Sequence, residues 1–112
     1  MYELVRVNFP FANDLEKGKK RPGVVISPAF GKHNQVIIAY ITTQLGEVLP
    51  TDIVLDPNKK FLQSTDLVKK SVIKLHRIAT FQPEAIEIGR GFLPEKIVIE
   101  LKKKLLKVFK LK

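Results

Sequence analysis

The chain has 112 residues and 45% of them are hydrophobic, which predicts one domain, residues 1–112, with one buried core. Lys and Arg number 20 against 11 Asp and Glu, and this net charge of +9 favours a polyanionic partner. The absence of cysteine excludes disulfides, cysteine-based zinc sites and thiol catalysis, and two isolated histidines predict no metal site.

The sequence also argues against a membrane protein. No apolar run approaches the roughly 20 residues of a membrane span, and the N-terminus lacks the pattern of a secretory signal. We therefore expect a cytoplasmic protein with no membrane contact, and no metal or other cofactor.

Short β-type runs separated by turn signals dominate the chain. They lie at Tyr2–Phe9, Gly23–Ser27, Val36–Thr42, Val48–Leu55, Ser71–Ile78 and Ala85–Arg90. In the fourth run, alternation predicts that Val48, Ile53 and Leu55 point inward. Between the fourth and fifth runs, Phe61–Lys69 has the composition of a brief helical turn.

One helix is predicted over Pro94–Leu111, because proline suits the first helical position. Its apolar stripe comprises Ile97, Val98, Leu101, Leu105, Val108 and Phe109, and its lysines occupy the other face. Glu100 and Lys104 form an i, i+4 pair in the favourable order. The elements together predict a mainly β fold, a small barrel of five to seven strands over about 1–92 with a C-terminal helix over about 94–111.

Three consecutive cations, Lys19, Lys20 and Arg21, end a polar loop directly before an apolar strand. The strand must be buried and the loop has little to bury, so Arg21 is expected at the rim of the sheet. A guanidinium anchored there suits phosphate recognition. The alternative is an ordinary solvated turn, in which Arg21 pairs with Asp14 or Glu16.

Four segments in order resemble the MazF/PemK-like toxins of toxin–antitoxin pairs. Val5–Phe11 is similar to the first strand and following loop of that family. Lys20–Ser27 is similar to its Arg-Pro strand, and Ile38–Thr42 to its Ala-x-Ile-Thr strand. Ser71–Thr80 resembles a later strand that carries a basic and then an acidic residue. Each motif is moderately specific, and the ordered set covers most of the chain.

The resemblance implies an SH3-like barrel, a homodimer, and metal-independent, sequence-selective cleavage of single-stranded RNA, in particular mRNA. It also implies a cognate antitoxin whose acidic tail lies across the active groove. In the family, the arginine of Arg-Pro and the threonine of Ile-Thr act at the scissile phosphate, which here implies Arg21 and Thr42.

Two positions depart from the family pattern. Asp52 stands where some members have a histidine, which puts a base role on that strand in doubt, and His76 stands where others have an acidic residue. Histidine titrates near neutrality unaided, so we predict that His76 transfers a proton. Lys74 lies two residues earlier on the same strand face and is predicted to contact phosphate. The alternative for His76 is a surface position in a basic strand.

Cleavage by the 2′-hydroxyl of the substrate needs a base, an acid and positive charge at the phosphate. Arg21 suits the last role, and the Thr42 hydroxyl can donate to a phosphate oxygen. The neighbouring Thr43 points the opposite way, so a one-residue error would exchange the two threonines. The predicted RNA contacts are Lys19, Lys20, Thr43, Gln44, Lys74 and Phe11, the last as an exposed stacking surface.

Two other functions are compatible with the sequence. One is a non-catalytic nucleic-acid-binding barrel that holds phosphates in the same basic groove. The other is a gyrase-poisoning toxin of the same fold, which would act through protein contacts and would not need the pairing of Arg21 with Thr42.

Overall fold

The computed structural model describes residues 1–11, 18–58 and 69–111. Six strands of this part of the chain form one antiparallel sheet: β1 (Glu3–Val7), β2 (Arg21–Val25), β3 (Val36–Thr42), β4 (Ile53–Leu55), β5 (Ser71–Phe81) and β6 (Glu87–Phe92). A 3₁₀ turn at Pro83–Ala85 precedes β6, and helix α1 (Glu95–Val108) follows it. The mainly β fold with a C-terminal helix is therefore confirmed.

The strand order is β4-β5-β3-β2-β1-β6. Within the described ranges the edge strands β4 and β6 are not hydrogen-bonded to each other, so closure into a barrel is not seen. The predicted helical turn at Phe61–Lys69 falls almost wholly outside the described residues, as do Asp14 and Glu16. No helix of the described chain is long and apolar enough to cross a bilayer.

Both faces of the sheet are buried, because adjacent residues of its central strands enter two different apolar clusters. Successive side chains of a strand point to opposite faces. Leu4 and Ala39 accordingly pack with the helix residues Ile97 and Leu101, whereas Val5, Phe9, Ile38 and Tyr40 form the second cluster. Double burial explains why β2 and β3 consist of near-continuous apolar runs.

Helix α1 buries the predicted apolar stripe with one exception. Ile97 and Leu101 are buried, Val98, Leu105 and Val108 pack against the core, and Lys104 pairs with Glu100 at 3.6 Å. Phe109 was expected in the stripe but is 54% exposed. The reason is that the helix ends at Val108 and Phe109 already has non-helical dihedral angles (φ −97°, ψ 3°).

The predicted strand Val48–Leu55 is shorter than expected, since only Ile53–Leu55 pairs with β5. The Asp52 carboxylate accepts the N–H of Leu49 at 2.7 Å, and the Asp52 N–H donates to the Leu49 carbonyl at 2.9 Å. These two bonds make a turn around Pro50, which has no N–H to offer a sheet. Val48 was therefore wrongly predicted to point inward, and it is 49% exposed.

The close packing around Gly23 of β2 can be tested by substitution. A Cβ at this buried position would lie 2.6 Å from Ile38 Cγ2 and 2.9 Å from Phe9 Cζ. We expect Gly23→Ala to lower the free energy of unfolding by about 1–3 kcal/mol, because overpacking forces these side chains to shift. Thermal denaturation would show a lower Tm. Gly46→Ala is the control, since a Cβ there meets nothing within 4 Å. Equal Tm values for the two variants would contradict the packing described.

Candidate active site

Two cavities open where β3 ends. One, of about 220 Å³, contains Arg21 in its wall and is named the arginine cavity. The other, of about 420 Å³, contains His76 and is named the histidine cavity. Tyr40, Thr42 and Gln44 line both. The two cavities therefore form one groove across the end of β3.

The sheet register brings Arg21 and Thr42 together. Gly23 of β2 lies opposite Tyr40 of β3 in an antiparallel pair. Continuing this register by two residues, back along β2 and forward along β3, places Arg21 opposite Thr42. Both residues line the arginine cavity. The Thr42 Oγ1 accepts the Gln44 N–H at 3.1 Å, which fixes the oxygen, while the hydroxyl hydrogen is a separate donor.

The other predicted contacts near this cavity divide into two groups. Thr43 lines the arginine cavity and Gln44 lines both cavities, as an RNA-contacting role would need. Lys19 and Lys20 are exposed just before β2 and lie outside the walls of both cavities. The Lys20 ammonium pairs with Glu87 at 3.2 Å, an exposed ion pair of small energetic weight.

Arg6 is a lining residue that sequence reasoning missed. It projects from β1 opposite Pro22 and lines the arginine cavity with Arg21. Its Nη2 donates to the Lys20 carbonyl at 3.2 Å, so the backbone at the start of β2 holds this guanidinium. The sequence did contain a signal for Arg6, because it is a cation between the apolar residues Val5 and Val7 of a predicted strand.

The histidine cavity depends on an irregularity in β5. Ala39 pairs with Ile78, but the next residue, Tyr40, pairs with Lys74, so the partner on β5 changes by four residues across one step of β3. Leu75, His76 and Arg77 are the residues between these partners. Leu75 is fully buried, whereas both His76 and Arg77 line the cavity. Lys74 and His76 line the same cavity, as the alternation predicted, and Arg77 lines it with them at the bulge.

A buried ion pair underlies the histidine cavity. The Asp52 side chain has no exposed area, and its Oδ2 lies 2.6 Å from the Nζ of Lys74, which is 14% exposed. Lys74 Nζ also donates to the Glu47 carbonyl at 2.8 Å. Two of its three N–H bonds are thus engaged. Lys104 ties α1 to the same place by donating to the Asp52 carbonyl at 2.7 Å.

Phe11 is less accessible than predicted. It is half-buried, stacks on Phe9 with ring centroids 5.0 Å apart, and carries the Arg77 guanidinium 4.4 Å from its ring centre. The same guanidinium lies 5.1 Å from the centre of the Tyr40 ring, and its Nη2 donates to the Phe11 carbonyl at 3.4 Å. Arg77, which the sequence analysis did not select, therefore covers the aromatic wall of the cavity.

The described residues contain no group of three or more His, Cys, Asp or Glu side chains arranged as metal ligands. The polar groups of the groove include guanidinium and ammonium groups, one imidazole, the Glu47 carboxylate, and the hydroxyl and amide groups at the end of β3.

A family model described as the PemK-like, MazF-like toxin of type II toxin–antitoxin systems matches residues 1–109. The chain belongs to this family. No curated protein matches its sequence.

Solved structures of PemK/MazF-like proteins share the fold at low sequence identity. A mycobacterial endoribonuclease in complex with its cognate antitoxin is 14% identical with a TM-score of 0.70, covering 99% of this chain and 94% of that one. The Mycobacterium tuberculosis toxin MazF-mt6 is 18% identical with a TM-score of 0.70, and the match covers 96% of this chain and 97% of that one. MazF from Deinococcus radiodurans is 19% identical with a TM-score of 0.67, and the match covers 97% of this chain and 94% of that one.

The buried Lys74–Asp52 ion pair of this PemK/MazF-family protein is expected to contribute to its stability. Lys74→Met should lower the free energy of unfolding by roughly 3 kcal/mol, since it leaves a buried carboxylate without its ammonium partner. Urea denaturation at neutral pH measures the change. Lys70→Met, at an exposed lysine next to β5, should change stability by no more than about 0.5 kcal/mol. Similar losses in the two variants would show that the pair has no stabilising role.

Proposed function

We propose that this chain is the toxin of a type II toxin–antitoxin pair and a sequence-selective endoribonuclease that cleaves single-stranded RNA, mRNA in particular, without a metal ion. The observation that supports this function best is the groove itself. Arg21 and Thr42 line one cavity, and Thr42 also lines the neighbouring cavity that contains His76. Groups for binding a phosphate and for moving a proton thus lie along one path.

The phosphate would lie at the arginine cavity. The guanidinium of Arg21 offers two parallel donors to two phosphate oxygens, and the Thr42 hydroxyl offers a third donor from the neighbouring strand. Arg6 adds a second guanidinium to the same wall. Such fixed donors stabilise the charge that builds up on the phosphoryl oxygens during cleavage.

The reaction is an internal transfer at phosphorus. The 2′-oxygen forms a bond to the adjacent phosphorus and gives up its proton, and the bond from phosphorus to the 5′-oxygen breaks. The 5′-oxygen takes up a proton, so the products are a 2′,3′-cyclic phosphate and a 5′-hydroxyl. His76 is the proton-transfer group of this scheme, because an imidazole both accepts and donates protons near neutral pH. The remaining N–H of Lys74 contacts a phosphate oxygen.

The rest of the strand would follow the groove. Gln44 and Thr43 contact the nucleotides beside the scissile phosphate, and Lys19 and Lys20 contact the backbone as it leaves the arginine cavity. The stacking role predicted for Phe11 is shared with Arg77, whose guanidinium plane lies over the Phe11 ring and can stack on a base.

Two protein partners are part of the proposal. The first is a cognate antitoxin with an acidic segment, which the net charge of +9 would attract to the groove. One structural relative was solved with its cognate antitoxin, and another as a MazE–MazF structure from Deinococcus radiodurans. The second partner is another copy of the chain, since β6 exposes Ile88 and Phe92, α1 exposes Ile99, and Phe109 is exposed directly after α1.

The first test is cleavage of a mixed-sequence single-stranded RNA by the purified protein in EDTA. Discrete cuts with 2′,3′-cyclic phosphate ends are expected. Arg21→Ala should reduce the cleavage rate by about 10²–10³-fold, the usual cost of losing one fixed donor to a developing anion. Lys32→Ala, at an exposed lysine of a turn outside both cavities, should cut at the wild-type rate. Binding of RNA without cuts by any variant would favour the non-catalytic alternative.

The two adjacent threonines provide a second test. Thr42→Val keeps the side-chain shape but removes the hydroxyl, so we expect a fall in kcat of at least about tenfold, together with a normal circular dichroism spectrum. Thr43→Val removes a hydroxyl that lines only the arginine cavity and should have the smaller effect. Initial rates on the same RNA measure both. A larger loss at Thr43 would exchange their assigned roles.

A further inference from the structure

Asp52 has one carboxylate oxygen fully engaged and one that is not. Its Oδ2 accepts the Leu49 N–H at 2.7 Å and the Lys74 ammonium at 2.6 Å. Its Oδ1 is buried, and no described residue donates a hydrogen bond to it. A buried carboxylate oxygen without a donor is unfavourable, so its surroundings show what it is placed to bind.

The imidazole of His76 is a donor group close to this oxygen. The Nδ1 atom lies 4.0 Å from Oδ1, and the His76 side chain is 43% exposed whereas that of Asp52 is fully buried. The carboxylate is held by two hydrogen bonds, so the imidazole is the partner that can move. An approach of about 1 Å would bring the pair to the length of a charge-assisted hydrogen bond.

Other charged and titratable groups also face His76. Lys74 and Arg77 flank it on β5, Glu47 lies in the loop after β3, and the Tyr40 phenol belongs to β3; all four line the same cavity. The two cations disfavour an imidazolium and the two carboxylates, Glu47 and Asp52, favour it. Of these carboxylates, only Asp52 is fixed by hydrogen bonds and recorded within reach of Nδ1.

We propose that Asp52 is a positioning residue for His76, whose Nδ1–H donates to Asp52 Oδ1 and leaves Nε2 facing the groove. This inference rests on the proposed ribonuclease function for its catalytic meaning, but the contact itself is independent of activity. Nε2 is then the atom that exchanges a proton with the RNA, either from the 2′-hydroxyl or to the 5′-oxygen. The carboxylate stabilises the imidazolium that exists when Nε2 carries the proton.

The contact is tested first without RNA. The chain has two histidines, so nitrogen-15 NMR of labelled wild-type protein, with His33→Gln for assignment, gives the tautomer of neutral His76 directly. We expect Nδ1–H in the wild type and a shift toward Nε2–H, the form that the side chain favours in water, in Asp52→Asn. Wild-type protein with Nε2–H at His76 would overturn the proposal, and this result does not require that Asp52→Asn folds.

The catalytic consequence is tested by pH–rate profiles between about pH 5 and 9. Asp52→Asn removes the carboxylate charge next to Nδ1, while Lys74, Arg77 and Glu47 remain in the cavity. We therefore expect the pH–rate profile of Asp52→Asn to differ from that of the wild type. We expect kcat to fall by roughly 10- to 100-fold with little change in KM, less than the loss of the proton-transfer group itself. His33→Gln should leave the profile unchanged.

These experiments separate the two proposals. If the wild type cuts no RNA, the proposed function fails, and the NMR tautomer still decides whether Asp52 binds His76. If the wild type cuts RNA and folded Asp52→Asn has an unchanged profile, the ribonuclease function stands and the positioning role of Asp52 is wrong.

Discussion

The groove exists because β3 ends between the beginning of β2 and the irregular middle of β5. Antiparallel pairing with β2 places the Arg21 end of one strand beside the Thr42 end of the other. On the opposite side, the change of partner between Ala39 and Tyr40 turns His76 and Arg77 toward the same opening. The proposed phosphate-binding and proton-transfer groups thus lie around this one strand end.

The family resemblance implied that Arg21 and Thr42 act together, and local features of the sequence explain why they lie close, as they explain the helix. Continuous apolar runs identify β2 and β3, and strands that are consecutive in the chain commonly pair with each other. Once two such strands are antiparallel, a residue at the start of one must lie near the end of the other. The same locality applies to α1, where spacing by three and four gives the buried face formed by Ile97 and Leu101.

Asp52, Arg77 and the position of Phe11 were not predictable, because each depends on contacts between distant segments. Lys74 and Asp52 are 22 residues apart. Because Asp52 stands where some family members have a histidine, the sequence indicated only that a base was in doubt at this position. The structure shows that Asp52 forms a buried ion pair with Lys74 beneath the cavity. Arg77 faces the groove because β5 leaves its regular register, and the alternation of apolar and polar residues does not predict such a bulge. Arg77 and Phe11 are 66 residues apart, and their contact removes the expected open aromatic surface.

Several groove cations are already fixed before any ligand arrives. The Lys20 carbonyl holds Arg6, the buried carboxylate of Asp52 holds Lys74, and two aromatic rings support Arg77. A side chain that is ordered in advance loses little entropy on binding, so its interaction with a phosphate is not offset by that cost. The exposed lysines of α1 differ, since they have no comparable fixed role and act at long range. In the proposed function, the net charge of +9 would serve in two ways: exposed lysines would attract a polyanion, and the fixed cations would hold it next to Thr42 and His76.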